Sequence, residues 1–379
     1  MTVAYRRRPN IPLAVETIAR TGLDAFCQTY DIESRSDQGL VSLKYSIRSP
    51  MDAPEVQDCR GLVLYEDDPT YPVCMPFRKF FNIEEPRAAR IDWSTSRLLH
   101  KMDGSLMMLY YDHRVGDWRV ASSGHPTAGG SYGDADTTFA QVFWQTFFTG
   151  VADMPPAPMT EMDDIWYFFE LCRPDNRIVV RYDEPQLPLI GARRRAGLQE
   201  LSIEEMRKHS GRFGWSTVPS APRSGIKSKV MRMAAETDPL QLEGFVVVDE
   251  EFNRVKIKNP RYVEIHHLRG QRSPRAVIDL WKMGEVDEVL AHFPELRPQF
   301  DEVLQKVGAG IVSVLNAWAF GKLIPSRKEF ALLIKDKPFS SVLFKFYTSP
   351  PEYLGEADAA VAAVRAMATQ AILRNIGMD

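Results

Sequence analysis

Residues 105–111 read Ser-Leu-Met-Met-Leu-Tyr-Tyr and follow directly on Lys101-Met102-Asp103-Gly104. So short and apolar a run is a strand of the buried type. The Asp-Gly ahead of it is turn chemistry, with glycine allowing backbone close to a ligand. Residues 118–121 are its hairpin partner across the polar stretch 112–117. The chain must build a sheet here, and that sheet starts beside a lysine. Lysine attacks an electrophile only when neutral, which takes neighbouring cations or desolvation.

The rest of the chain divides by pattern. Residues 1–95 are mixed, with helical spacing over 11–28 and short strands at 41–45 and 61–65. Residues 98–270 are mainly strand-like. Within them 124–136 is a Gly/Ser/Thr/Asp loop, 137–149 an aromatic helix, and 166–170 and 177–182 are expected strands around Pro174-Asp175-Asn176. Ser202 and Glu205 form a capping box for a helix ending near His209, and 244–249 pairs with 254–257 as a hairpin. After His267 the spacing is helical over 276–292, 300–319, 326–334 and 356–376. The fold class is α+β followed by an all-helical C-terminal domain.

Composition excludes several classes. No run approaches the roughly 18 apolar residues of a membrane span. The N-terminus carries Arg6-Arg7-Arg8 with no apolar stretch behind them, unlike a secretory signal. Four cysteines, Cys27, Cys59, Cys74 and Cys172, are scattered, which speaks against a zinc ribbon or disulfide framework and for a reducing, cytoplasmic compartment. His266-His267 are adjacent, and strand neighbours point to opposite faces, so ligation of one metal is disfavoured. Net charge is −3, so any nucleic-acid surface must be local. Candidate clusters are Arg6-Arg7-Arg8, Arg193-Arg194-Arg195 and the basic residues between 223 and 232, each also readable as solvated surface.

Five further segments accompany Lys101: Cys59-Arg60-Gly61, Phe77-Arg78-Lys79-Phe80-Phe81-Asn82, Phe168-Phe169-Glu170-Leu171, Leu242-Glu243-Gly244 and Lys256-Ile257-Lys258. Lys256 and Lys258 alternate with apolar residues, so both ammonium groups leave one strand face, as they would on an amphipathic surface strand. Glu243 at hairpin distance would place a carboxylate beside them, as a triphosphate with a divalent ion requires. Glu170 fits that set or the exposed position of an edge strand.

In this order the segments resemble the covalent nucleotidyltransferases, and among them the phage-type RNA ligase 1 family. That family also carries an Arg-Gly strand and a Lys-Phe-Phe-Asn stretch before Lys-x-Asp-Gly-Ser. A Pro-x-Asn-Arg-Ile-Val run follows, here residues 174–179, and then Lys-Ile-Lys with Tyr262-Val263. The resemblance spans 40–270 and, more loosely, 320–347. The chain departs from it at Ser122-Ser123-Gly124, where the family often has a lysine before the glycine; Arg119 is the nearest cation.

The resemblance implies a nucleotidyltransferase (ligase adenylation) domain over 1–269, with antiparallel sheets, flanking helices and an ATP-phosphate segment at 40–95. A helical RNA-selection domain would follow over 270–379. Lys101 would be the nucleophile that forms lysyl-AMP. Arg60 and Lys79 would hold the β- and γ-phosphates, and Glu170 the ribose. Phe81 and Gly104 belong to the same ATP-binding set. Glu243 would bind the metal. Lys256 and Lys258 would be catalytic at the α-phosphate, Lys256 also favouring the neutral form of Lys101. The adenine pocket would be aliphatic, near 187–190. The implied co-substrate is ATP with Mg²⁺ (or Mn²⁺). The implied partner is RNA with 5′-phosphate and 3′-hydroxyl ends, broken tRNA among the candidates. The protein would be a monomer without a membrane, phage-encoded or bacterial. A DNA ligase or mRNA capping enzyme on the same core is the alternative, although those normally append a small β-barrel where this chain turns helical.

Overall fold

In a computed structural model of the chain, the described residues are 11–133, 136–149, 153–221, 225–270, 273–284, 286–351 and 355–378. Arg6-Arg7-Arg8 and Arg223 lie outside them. The chain forms two compact units, Met1–Val263 and Glu264–Asp379.

The first unit begins with helices α1 (Leu13–Thr21) and α2 (Leu23–Tyr30). Strands β1 (Ile32–Asp37) and β2 (Leu40–Tyr45), short helix α3 (Pro54–Asp58), and strands β3 (Arg60–Tyr65) and β4 (Pro72–Cys74) follow. Then come β5 (Phe81–Asn82), β6 (Arg97–His100), β7 (Ser105–Asp112), β8 (Asp117–Ser122), α4 (Phe139–Thr149) and β9 (Ile165–Leu171). The unit continues with β10 (Leu189–Arg194), α5 (Ile203–Phe213), β11 (Ser220–Ala221), α6 (Lys227–Glu236), β12 (Gly244–Val248) and β13 (Arg254–Lys258), and α7 (Pro260–Gly270) comes next.

Three sheets result, ordered β1-β2-β3-β4, β10-β9-β7-β8 and β11-β6-β12-β13-β5. Every pairing is antiparallel except that of β13 with β5. The central sheet shows the two-residue alternation of a sheet buried on both faces. Met108, Tyr110, Trp166 and Phe168 join a core with Leu43, Leu62 and Leu64 of the first sheet. Met107, Leu109, Tyr167 and Phe169 join α4's Phe143 and Phe147 and Trp215 on the other face. Glu170 continues the Trp166–Phe168 row toward the first sheet. β9 lies between β10 and β7, so Glu170 is not on an edge strand.

Several sequence expectations fail. Residues 177–182 are irregular, not a strand. Arg193 and Arg195 are buried, not a basic surface: Arg193 pairs with Glu200 at 3.0 Å and Arg195 with Asp164 at 3.4 Å. Only Arg194 of that cluster is exposed, and it pairs with Glu205. The capping box at Ser202 and Glu205 forms, but its helix continues to Phe213, where Gly214 adopts φ +69° and ends it. His266 and His267 lie in helix α7 instead of a strand.

The second unit is helical: α8 (Pro274–Met283), α9 (Val286–His292), α10 (Arg297–Gly321), α11 (Arg327–Ile334), α12 (Ser340–Thr348), α13 (Glu356–Arg365) and α14 (Thr369–Ile376). The expected helix over 276–292 is split after Met283 by Gly284 at φ +80°. The expected helix over 356–376 is interrupted between α13 and α14. Residues 294–321 are, by length and apolar character, enough to cross a membrane, a stretch the sequence reading passed over. Phe300, Val303, Val307, Val314 and Trp318 of α10 are nevertheless buried at helical spacing, and α8, α12, α13 and α14 pack on it, so α10 serves this unit as a core helix.

Candidate active site

Two strands deliver the lysine. β6 pairs with β12 through His100 opposite Phe245, and beyond that pair Lys101 N–H donates to the Gly244 carbonyl at 2.9 Å. Glu243, one residue before β12, therefore comes to the lysine side chain. Its Oε2 accepts from Lys101 Nζ at 2.5 Å, and its Oε1 pairs with Lys258 Nζ at 2.8 Å. Lys258 reaches this place because it is the register partner of Gly244 in the β12–β13 hairpin. Glu243 is 3 % exposed. Burial pushes its carboxyl up, but the two ammonium groups outweigh that and hold it below its usual range.

Two glycines permit these contacts. A Cβ on Gly104 would sit 2.4 Å from the Leu171 carbonyl oxygen, so glycine lets the loop after Lys101 lie on β9. At Gly244, φ is +142° and a Cβ would be 2.2 Å from the Ile257 oxygen.

Glu170 is the second carboxylate. Burial raises it to about 7, with Lys101 and Arg60 opposing and Glu243 and Asp103 adding to the rise. Lys256 is brought down to about 7, first by burial and then by Arg60, Lys79, Lys101 and Lys258. Phe80 stands between cations: Arg60 lies 4.9 Å and Lys256 Nζ 5.0 Å from its ring centre. Lys79 Nζ lies 4.9 Å from the Tyr45 ring and 5.7 Å from the Phe81 ring. Phe81 itself is buried in β5, with 5 % exposed.

Arg60, Lys101, Gly104 and Glu170 line one cavity of about 770 Å³. Glu243, Lys256, Lys258 and Lys79 are not on its lining. Glu243 and Lys258 are tied to it through Lys101 and each other, and Lys256 and Lys79 through aromatic rings shared with Arg60 and Tyr45. The structure thus gathers the sequence-predicted charged residues around Lys101. Arg119 is engaged elsewhere, with Asp112 at 3.1 Å.

Sequence reasoning missed Asp103. Its Oδ2 accepts the N–H groups of Val179 and Val180, both at 2.8 Å, and its Oδ1 accepts the Tyr262 hydroxyl at 2.7 Å. Its own N–H donates to the Tyr182 hydroxyl at 3.0 Å. This clamp replaces the expected strand over 177–182. Its signal was the aspartate of the Lys-Met-Asp-Gly run, read there only as a turn residue. Tyr45 was also missed.

The set can support an amine nucleophile, cations for phosphate oxygens, and one carboxylate for a divalent ion. Among the described residues no group of three His, Cys, Asp or Glu is arranged to hold a metal. Glu243 alone fits a Mg²⁺ ion that arrives with a triphosphate, because such an ion takes one or two carboxylates and fills its shell with phosphate oxygens and water.

The sequence profile of the RNA ligase family matches residues 58–262. An RNA ligase of Rhodothermus phage RM378 is 26% identical over 399 residues, covering 86% of each chain. Among solved structures, an archaeal ATP-dependent RNA ligase is similar with a TM-score of 0.48 and 16% identity, covering 79% of this chain and 83% of that one. A Naegleria gruberi RNA ligase has a TM-score of 0.35 and 14% identity, covering 45% of this chain. The match spans about half, 51%, of the Naegleria protein. With the profile matching more than half of its residues, the chain belongs to the RNA ligase family.

Proposed function

We propose that the protein is an ATP-dependent RNA ligase in which Lys101 carries the AMP. The observation that carries this reading is the Lys101–Glu243–Lys258 ion-pair chain beside a cavity that Arg60 and Glu170 also line. Lys101 Nζ attacks the α-phosphorus of ATP. A phosphorus–nitrogen bond forms as the ammonium gives up two protons to solvent, the bond to the β-phosphate oxygen breaks, and pyrophosphate leaves. Arg60 and Lys79 orient that leaving group, and Lys258 and Lys256 neutralise charge on the transferring phosphorus. Glu243 holds the ammonium in the resting protein and would ligate Mg²⁺ (or Mn²⁺), which supplies further neutralisation of phosphate charge. Glu170 meets the ribose. The apolar side chains of Met102, Ile190 and Val246, which share one cluster, offer aliphatic faces for adenine.

The AMP then passes to an RNA 5′-phosphate, and the 3′-hydroxyl of a second end displaces it to close the strand. The helical unit selects the RNA, a broken tRNA being the kind of structured substrate that would use it, and the protein acts as a monomer. The helical continuation after β13, where DNA ligases and capping enzymes normally carry a small barrel, favours RNA repair over those reactions.

Intact-mass measurement after incubation with ATP and Mg²⁺ tests the reading. The wild type gains one AMP and Lys101→Ala gains none; a labelled Lys101→Ala would place the nucleophile elsewhere. Sealing assays on matched RNA and DNA ends then separate an RNA ligase from a DNA ligase.

A further inference from the structure

The cavity is larger than the group of charges around Lys101. Much of its remaining lining comes from the β1–β2 hairpin, with Glu33, Arg35, Ser42 and Lys44, and from Ser122–His125 after β8. Glu33, Lys44 and Arg60 are successive register partners, so they form one row across the first sheet, and Arg35 pairs with Ser42 in the neighbouring row.

Three observations mark this wall as built for a ligand. Ser42 is 1 % exposed, yet its hydroxyl has no hydrogen-bond partner, and Arg60 Nη1 is likewise buried and unpartnered. Buried polar groups are nearly always paired, so two orphans on one cavity call for a ligand with acceptor oxygens. Lys44 and Arg35 are exposed and, among the described residues, make no ion pair, although Glu33 faces Lys44 across the hairpin. Lys44 also reaches across the cavity to the segment after β8: its Nζ lies 3.8 Å from where a Cβ on Gly124 would be.

In-line displacement says what enters here. If Lys101 accepts AMP, pyrophosphate leaves from the face opposite Nζ. When AMP is passed on, Lys101 becomes the leaving group, and the attacking oxygen must approach from that same face. The incoming 5′-phosphate therefore takes the place that pyrophosphate vacated, beside Arg60, and the RNA behind it continues over the adjoining wall.

We propose that the β1–β2 hairpin wall, through Lys44, Arg35 and Ser42, seats the 5′-terminal nucleotides of the RNA during AMP transfer; this rests on the RNA ligase reading given above. Lys44 and Arg35 hold the phosphates that follow the 5′ end, and the Ser42 hydroxyl donates to a phosphate oxygen. Such contacts position a strand without reading its sequence. In the step itself one 5′-phosphate oxygen bonds to the adenylyl phosphorus. The phosphorus–Nζ bond breaks with its electron pair returning to nitrogen, and two protons from water restore the ammonium.

The test compares two half-reactions in the full chain carrying Lys44→Glu, Lys44→Arg or Arg35→Ala. Self-adenylation from ATP and Mg²⁺ is read by intact mass. Single-turnover transfer of AMP from charged protein to a 5′-phosphorylated oligoribonucleotide is read across a salt series. Self-adenylation is expected to stay within about twofold of wild type. Transfer should fall at least tenfold for Lys44→Glu and persist for Lys44→Arg. The salt slope should become shallower by about 0.7 for each phosphate contact removed by Arg35→Ala. Unchanged transfer in Lys44→Glu overturns the proposal. Equal loss of both half-reactions in that variant overturns it too, by assigning the wall to ATP. A wild type that takes no AMP would instead overturn the lysyl-AMP reading beneath it.

Discussion

Asp103 and Tyr262 are 159 residues apart in the chain and joined by a hydrogen bond of 2.7 Å, the tyrosine hydroxyl donating. With the two N–H groups that Asp103 also accepts from Val179 and Val180, the bond ties the loop after Lys101 to residues 179–180 and to the start of α7. The chemistry of this clamp predicts a graded response. In Asp103→Asn the remaining oxygen can keep both backbone N–H groups while the amide donates to the Tyr262 oxygen. Asp103→Ala orphans all three donors, at about 1–3 kcal/mol for each unsatisfied group. Urea unfolding should show alanine far more damaging than asparagine; equal losses would mean that the charge matters and the hydrogen bonds do not.

Gly104→Ala and Gly244→Ala each drive a Cβ into backbone, at 2.4 Å and 2.2 Å respectively. Both should lower stability and cut AMP capture at least tenfold. Gly211→Ala is the control. It has nothing within 4 Å and lies inside α5, so it should be neutral or gain up to about 1 kcal/mol. Melting curves paired with mass readings separate the three, and wild-type AMP capture by Gly104→Ala would show that β9 yields easily.

Glu243→Gln leaves Lys101 and Lys258 facing a neutral amide. AMP capture should fall by about 10²–10³, the usual effect of losing one preorganised electrostatic group. A double-mutant cycle with Lys101→Met, read by denaturation, should give a coupling of at least about 0.5 kcal/mol. Additive losses would assign no energetic weight to the 2.5 Å contact.

Lys256 gives a pH-dependent prediction. Its folded pKa, about 7, lies below the unfolded value. The folded state thus resists the charged form, and the penalty is full below about pH 7 and fades as pH rises toward the unfolded value. Lys256→Met should therefore raise the melting temperature of the nucleotide-free protein most at pH 6 and less at pH 9, while lowering AMP capture. A stability gain that grows from pH 6 to pH 9 would contradict the sign.

Local signals made part of this legible. The short apolar run over residues 105–111, the hairpin of 244–249 with 254–257 and the Ser202–Glu205 capping box depend on neighbours within a few residues, and all three formed. The charged residues gathered around Lys101 were legible through their order along the chain. What failed depends on distant partners. Residues 177–182 have strand-like composition, but Asp103 captures the N–H groups a ladder would need. Arg193 and Arg195 look like surface charge until Glu200 and Asp164 meet them in the interior. The cavity-facing side of the β1–β2 hairpin gave no sign, because nothing near Lys44 in the sequence sets it apart from a solvated lysine.

The bond from Lys101 N–H to the Gly244 carbonyl has a practical outcome. A slip of one residue between β6 and β12 would turn the lysine away from Glu243 and onto the opposite face of the sheet. Only chains with the native strand register could then be charged. If Lys101 does take AMP, the labelled fraction of a preparation counts its correctly paired molecules, and the time course of labelling during refolding would clock the moment when two strands nearly 150 residues apart find their alignment.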